Sequence, residues 1–217
     1  MVSKSVFWQA LLSVILIFGV GILLGVSFED ARSRDVELNL LKSEINVLDS
    51  QLMGRISEGN IDFDCEIAKD KLVQFADEIF LEAKQLEKYD DSSDLTDTLL
   101  VLHRRYDILR TMLWLNAIEI NEKCGRDFHV LVYVYQYIEP PVSVKSNQIT
   151  FSRVLSDLKD KYGNDIVLIP IAGDMGLSSV DILKETYSVE TYPSIIVNEE
   201  YVVDDLEELG ELENSLF

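Results

Sequence analysis

The sequence predicts a mixed α/β domain with element order β-α-β-α-β-β-α over residues 128–217, preceded by an all-α region. Three observations carry this reading. Proline is absent before Pro140 and all four prolines lie from there onward, so nothing interrupts long helices in the first part of the chain. Between Leu38 and Cys124 the apolar residues step by three and four, the period of a helix buried along one face. After that come two unbroken apolar runs rich in β-branched residues, Phe128 to Gln136 (FHVLVYVYQ) and Ile166 to Ala172 (IVLIPIA), which read as central strands covered on both faces.

The 217 residues, 47% hydrophobic and 27% charged, give room for one large or two small domains. Their net charge of −20 repels phosphate backbones, which argues against nucleic acid as a partner. There is no glycine-rich phosphate loop, GxSxG elbow or HExxH pair, so no cofactor, metal or catalytic set is expected. The acidic pairs Asp204-Asp205 and Glu207-Glu208 fit an exposed helix start better than an acid/base dyad.

In chain order, a short tail (1–5) leads into Val6 to Phe28, 23 residues without a charge. As a helix this run is long enough to cross a hydrocarbon core of roughly 30 Å, and no small-residue cleavage site follows it, so a retained transmembrane anchor is expected. Gly21 and Gly25 form a GxxxG pair at which two such helices would meet, so a homodimer through this segment is one expected partnership and the lipid bilayer another. Lys4 against Arg32 and Arg34 narrowly favours a cytoplasmic carboxyl end. The cysteine pair discussed below favours the opposite side, and an extracytoplasmic domain is the reading adopted. Residues 29–58 form a helical stalk in which Leu38, Leu41, Ile45, Leu48 and Leu52 draw one apolar seam. The seam fits either a short coiled coil or a helix packed on its own domain. Gly54, Gly59 and Asn60 mark a break.

Residues 61–125 read as an antiparallel helical hairpin. Ala68, Leu72, Phe75, Ile79, Ala83 and Leu86 face inward from the first helix. A polar turn, Tyr89 to Asp94, follows, and Leu95, Leu99, Leu102, Tyr106, Leu109, Leu113, Ala117 and Ile120 continue the rhythm. Cys65 and Cys124 sit on the inward stripes at the two ends that such pairing brings together. A disulfide there closes a loop of about 60 residues, for which the chain-entropy estimate is roughly 4 kcal/mol. Two buried free thiols are the alternative, and the compartment decides between them. His103 and His129 read as ordinary surface or packing residues.

In the last region a helix is expected over Phe151 to Tyr162, with the loop before it running to about Gln148. Ser178 to Tyr187 is a second helix, capped by Ser178 or Ser179. Pro193 lacks an amide donor, so it marks the start of the strand Ser194 to Val197, and a cis bond fits there. A turn at Asn198-Glu199-Glu200, a short strand and a helix from about Asp205 complete the order.

The strands VLVYVYQ and IVLIPIAGD, followed by LKETYSVETYPSIIV, resemble the thioredoxin superfamily, whose cis-proline loop joins a helix to the third core strand and faces the ligand groove. The resemblance covers roughly residues 128–217. It implies a peptide-accepting groove formed by Thr191, Tyr192 and Pro193, with Glu139 and Pro140 in the facing loop. Where redox members carry CxxC, this chain reads Glu139-Pro140-Pro141-Val142, so dithiol chemistry in the groove is expected to be missing. The expected function is a single-pass, membrane-anchored, non-catalytic binding or scaffold module for a protein or peptide partner. The alternatives are an envelope thiol–disulfide oxidoreductase or chaperone using Cys65 and Cys124, and an accessory subunit of a membrane complex, similar in plan to those of oligosaccharyltransferase.

Overall fold

A computed structural model describes residues 4–59, 63–90 and 97–217 of the chain. It divides into two compact units, Met1–Leu48 and Asp49–Phe217.

The first unit is carried by α1 (Lys4–Glu58), whose carboxyl end belongs to the second. Trp8, Leu11, Leu12, Val14 to Phe18, Val20, Ile22 and Leu23 are exposed along it, so that its stretch from residue 8 to 23 is apolar on every side. Among the described residues no helix is long and apolar enough to cross a membrane. The expected span 6–28 includes residues 6, 7, 10, 24 and 26–28, whose side chains lie outside the described set. A Cβ added at Gly21 or Gly25 would meet nothing within 4 Å. Ile45 and Leu48 of the expected seam are exposed, and the side chains of Leu38 and Leu41 lie outside the described residues.

In the second unit α1 turns a small, polar face to its neighbour. Asn116 Nδ2 donates to Ser50 O at 3.0 Å and to Ser50 Oγ at 2.9 Å, whereas Leu52 is exposed. The break expected at Gly54 does not occur. The helix runs through it to Glu58, and a Cβ there would come within 2.7 Å of Asn116 Oδ1, so glycine serves close helix approach, not termination. The helix ends where the Gly59 amide donates to Arg55 O, and Gly59 O accepts from Lys123 Nζ at 2.7 Å. Asn60 lies outside the described residues.

The hairpin is α2 (Cys65–Asp90) with α3 (Asp97–Lys123). Asp64 Oδ1 accepts from the amides of Glu66 and Ile67, capping α2. Leu72 and Ile79 of α2 and Leu99, Leu109, Leu113, Ala117 and Ile120 of α3 are buried, as the spacing predicts. The turn at 91–96, and the side chains of Ala83, Leu86 and Leu95, lie outside the described residues. Cys65 and Cys124 form a disulfide, with Cα atoms 5.6 Å apart, which makes the two helices antiparallel. They are not on a buried stripe: Cys65, the first residue of α2, is exposed, and Cys124, just past the end of α3, is half-buried, since both lie at the open end of the hairpin.

The remainder is a mixed α/β arrangement. β1 (His129–Tyr135), α4 (Val142–Tyr162), β2 (Ile166–Ala172), α5 (Ser178–Thr186), β3 (Ser194–Val197), β4 (Tyr201–Val203) and α6 (Leu206–Leu216) follow the predicted order. The four-stranded sheet has order β2-β1-β3-β4, with β1 parallel to β2, and β3 antiparallel to both β1 and β4. Leu131, Tyr133, Ile195, Val197 and Val203 pack on one face with Phe151, Leu155 and Leu158 of α4 and Leu209, Leu212 and Leu216 of α6. The alternate residues Val130, Val132, Val134 and Ile196 face the other way and are equally buried.

At the outer side of β2 the Ile166 amide donates to Gly163 O, and Ile166 O accepts from Lys159 Nζ. Pro170 has no amide proton, and the Ala172 amide donates to Asp107 Oδ1 of α3 at 3.2 Å. Asp107 is itself buried beside Arg110, at 3.2 Å. Burial pushes its carboxyl above the usual range, only partly offset by Arg110 and the Ala172 amide.

Two helix starts differ from expectation. α4 begins at Val142, with Pro141 extended before it (φ −54°, ψ 153°), so the preceding loop is only residues 136–141. The first turns of α4 are mostly solvent-facing, with Val142 87% exposed, and show no apolar period that sequence could register. α5 is preceded by Leu177 in extended conformation without a side-chain cap, because Ser178 is already helical. α6 starts as expected: Asp205 Oδ1 accepts from the Glu207 and Glu208 amides.

The β3–β4 turn ties the hairpin to the sheet. Asn198 and Glu199 both have positive φ, 49° and 59°, and Asn198 Oδ1 accepts from the Val130 amide. Such a backbone is unusual for glutamate, and Trp114 Nε1 of α3 donates to Glu199 Oε1 at 2.8 Å. Burial raises the Glu199 pKa, with Glu122 adding to the effect and the Trp114 bond opposing it. A carboxyl whose pKa is raised by folding binds its proton more tightly in the folded state. Its ionisation therefore costs stability once pH rises above the unfolded value near 4.5. Glu199→Gln keeps an acceptor for Trp114 and removes the charge. It is expected to raise stability by about 0.5–2 kcal/mol at pH 7, a gain that vanishes below the unfolded pKa. Urea melts at pH 7 and pH 4 check this, and equal effects at both would contradict it.

Candidate functional site

The C-terminal end of β1 and the start of β3 lie together, since Val134 pairs with Ser194. Residues 136–141 and 191–193 therefore emerge at one end of the sheet. The Tyr192–Pro193 bond is cis, as expected, and Pro193 is buried. Thr191 is exposed. Its carbonyl accepts from Ser194 Oγ at 2.6 Å, and its hydroxyl donates to Asp204 Oδ2 at 3.1 Å.

Tyr192 points its ring inward. Its hydroxyl donates to Gly173 O at 2.8 Å and accepts from Lys184 Nζ at 3.0 Å, while Lys184 also donates to Gly173 O. Burial opposes the Lys184 charge, but the hydrogen bonds it donates to Tyr192 and Asp181 outweigh it and hold the ammonium above its ordinary pKa. Gly173 makes this possible: an added Cβ would lie 2.5 Å from Tyr192 Cε1 and 2.8 Å from Val134 Cγ1. Gly173→Ala is expected to expel the ring and cost about 1–3 kcal/mol. Tyr192 ring resonances in NMR spectra would shift, and unchanged resonances would contradict the prediction.

The β1–β3 ladder stops early for a specific reason. The Asn198 amide donates to Val130 O, so every second residue from Val130 forms a hydrogen-bonded pair and Gln136 with Tyr192 would come next. Instead Gln148 of α4 takes both backbone groups of Gln136, its Oε1 accepting from the amide at 3.0 Å and its Nε2 donating to the carbonyl at 3.1 Å. Among the described residues no hydrogen bond reaches the backbone amide or carbonyl of Tyr192.

The facing loop is pinned from the side. Asp174 accepts from the amides of Tyr137 and Ile138, at 2.9 and 2.7 Å, and the Tyr137 hydroxyl pairs with His103 Nε2 at 2.7 Å with the rings 4.2 Å apart. Arg104 Nε donates to Met175 O beyond β2. Glu139 is exposed at φ 43° and Pro140 half-buried. The sequence-predicted residues Thr191, Tyr192, Pro193, Glu139 and Pro140 thus share one end of the sheet. Asp174, Lys184, Gln148 and His103, which fix them, were not singled out as site residues; only Gly173-Asp174, directly after a strand, gave a signal.

The disulfide lies at the opposite end. With Glu66, Lys69, Asp70, Asp127 and Asn164 it lines a cavity of about 540 Å³. Asp127 and Asn164 precede β1 and β2, so seven residues of β1, roughly 23 Å of strand, separate the sulfurs from Pro193. The exposed carboxylates of Asp204, Asp205 and Glu208 lie close together, with Asp205 engaged in capping α6. No family model matches this chain, and neither a curated protein nor a solved structure matches it.

Proposed function

We propose that this chain is a membrane-anchored, thioredoxin-like binding module without redox chemistry in its groove, accepting an extended peptide at Tyr192-Pro193. The observation that carries the reading is the Tyr192 backbone just before Pro193 and β3, which the ladder leaves aside because Gln148 has taken its partner. An extended segment satisfies such an amide and carbonyl as a strand would, and the exposed Thr191 stands next to it. The β-α-β-α-β-β-α order fits the same family. At the amino end of α4, where redox members place a thiol, stand Pro141 and Val142. The uncharged run Val6 to Phe28 supports anchorage.

The test places a photo-cross-linking amino acid at Thr191 and, as control, at the exposed Glu211, in the full chain in native membranes. Cross-links from residue 191 alone, lost in Pro193→Ala, are expected. Equal labelling from both positions, or labelling indifferent to Pro193, would remove the proposal. Co-purification of one stoichiometric partner in mild detergent would favour an accessory subunit of a membrane complex over a scaffold.

A further inference from the structure

The disulfide and its cavity lie outside that reading and carry a separate one. We infer that Cys65–Cys124 is an exchange-competent disulfide whose cavity selects thiols carried next to positive charge. Here the bond forms part of the wall of a 540 Å³ cavity, with Cys65 exposed and Cys124 half-buried, and exposed disulfides are the labile ones. The cavity wall carries three carboxylates, Glu66, Asp70 and Asp127, against one ammonium, Lys69. That ammonium is already placed between Asp127, at 2.9 Å, and Asp165, at 3.6 Å. Glu66 and Asp70 therefore set the field that an incoming thiol meets.

In the reaction an external thiolate attacks Sγ of Cys124, the S–S bond breaks, and its electron pair leaves on Cys65 as thiolate. Cys65 is the first residue of α2, where the helix amino end favours negative charge. A second external thiolate attacks the mixed disulfide, giving an external disulfide and two protein thiols. The external thiol is oxidised, and its protons pass to the cysteines.

The same acidic wall that slows an anionic thiol concentrates a cationic one. The test uses the folded full chain in mild detergent at low salt, with cysteamine, 2-mercaptoethanol and 2-mercaptoethanesulfonate compared at equal thiolate concentration, and counts freed cysteines by alkylation and mass spectrometry. Cysteamine is expected to open the bond roughly tenfold faster than the sulfonate, with mercaptoethanol between, the spread closing in 1 M salt. Glu66→Gln with Asp70→Asn should close it at low salt as well. Both sites are exposed, and circular dichroism confirms the variant's fold. Rates independent of thiol charge, or opening no faster than global unfolding, would overturn the inference. Neither result bears on the groove, so the two proposals fail separately.

Discussion

Replacing Cys65 and Cys124 together by alanine is expected to lower stability by about 4 kcal/mol, the entropy of leaving a loop of roughly 60 residues unclosed in the denatured chain. The native contacts account for little of this, since the bridge is largely solvent-facing and Lys69–Asp127 still ties the start of α2 to the segment before β1. The loss should therefore act through the unfolded state. A reductant should bring the wild type to the double variant's urea midpoint and leave the variant unmoved. A loss under 1 kcal/mol, or further loss on adding reductant to the variant, would contradict this account.

Trp114→Ala is expected to cost about 3–5 kcal/mol, for two reasons that can be separated. The indole is only 2% exposed, its ring centroid lies 5.3 Å from that of Tyr187, and it is one of the largest side chains fully buried. Its removal leaves a cavity between α3, Tyr187 and the β3–β4 turn. It also removes the donor to Glu199, whose carboxylate is partly buried and held at positive φ. Trp114→Phe keeps most of the volume and loses only the donor, so its smaller cost reports the hydrogen bond. Combining it with Glu199→Gln should show a coupling of about 0.5–3 kcal/mol. Simple additivity would mean that the turn is held by other contacts.

Features that impose a rule on the backbone were legible in the sequence. Pro193 had to begin a strand because it has no amide to give, and the cis bond sits there. The spacing of Leu72, Ile79, Leu109 and Leu113 drew the hairpin, and the hairpin brought Cys65 to Cys124. The amino half of α4 was missed because it packs against little, so its residues carry no apolar period. Gly54 read as a break because sequence shows the absence of a side chain but not the Asn116 carboxamide that needs the space. The polar residues that fix the candidate site, Gln148, Asp174 and His103, each bond across at least 12 positions of chain, which no local pattern encodes. The seam drawn through Ile45, Leu48 and Leu52 was sound as a periodicity, but α1 meets α3 through Ser50 and Gly54.

The outer side of β2 has a consequence for how the sheet can grow. Of the amides that point away from β1, Gly163 takes that of Ile166, proline abolishes that of residue 170 and Asp107 claims that of Ala172. Only Leu168 can still offer a proton to an arriving chain, too few for a neighbouring molecule to template on. With β4 only three residues long at the far border, the sheet resists edge-to-edge aggregation on both flanks.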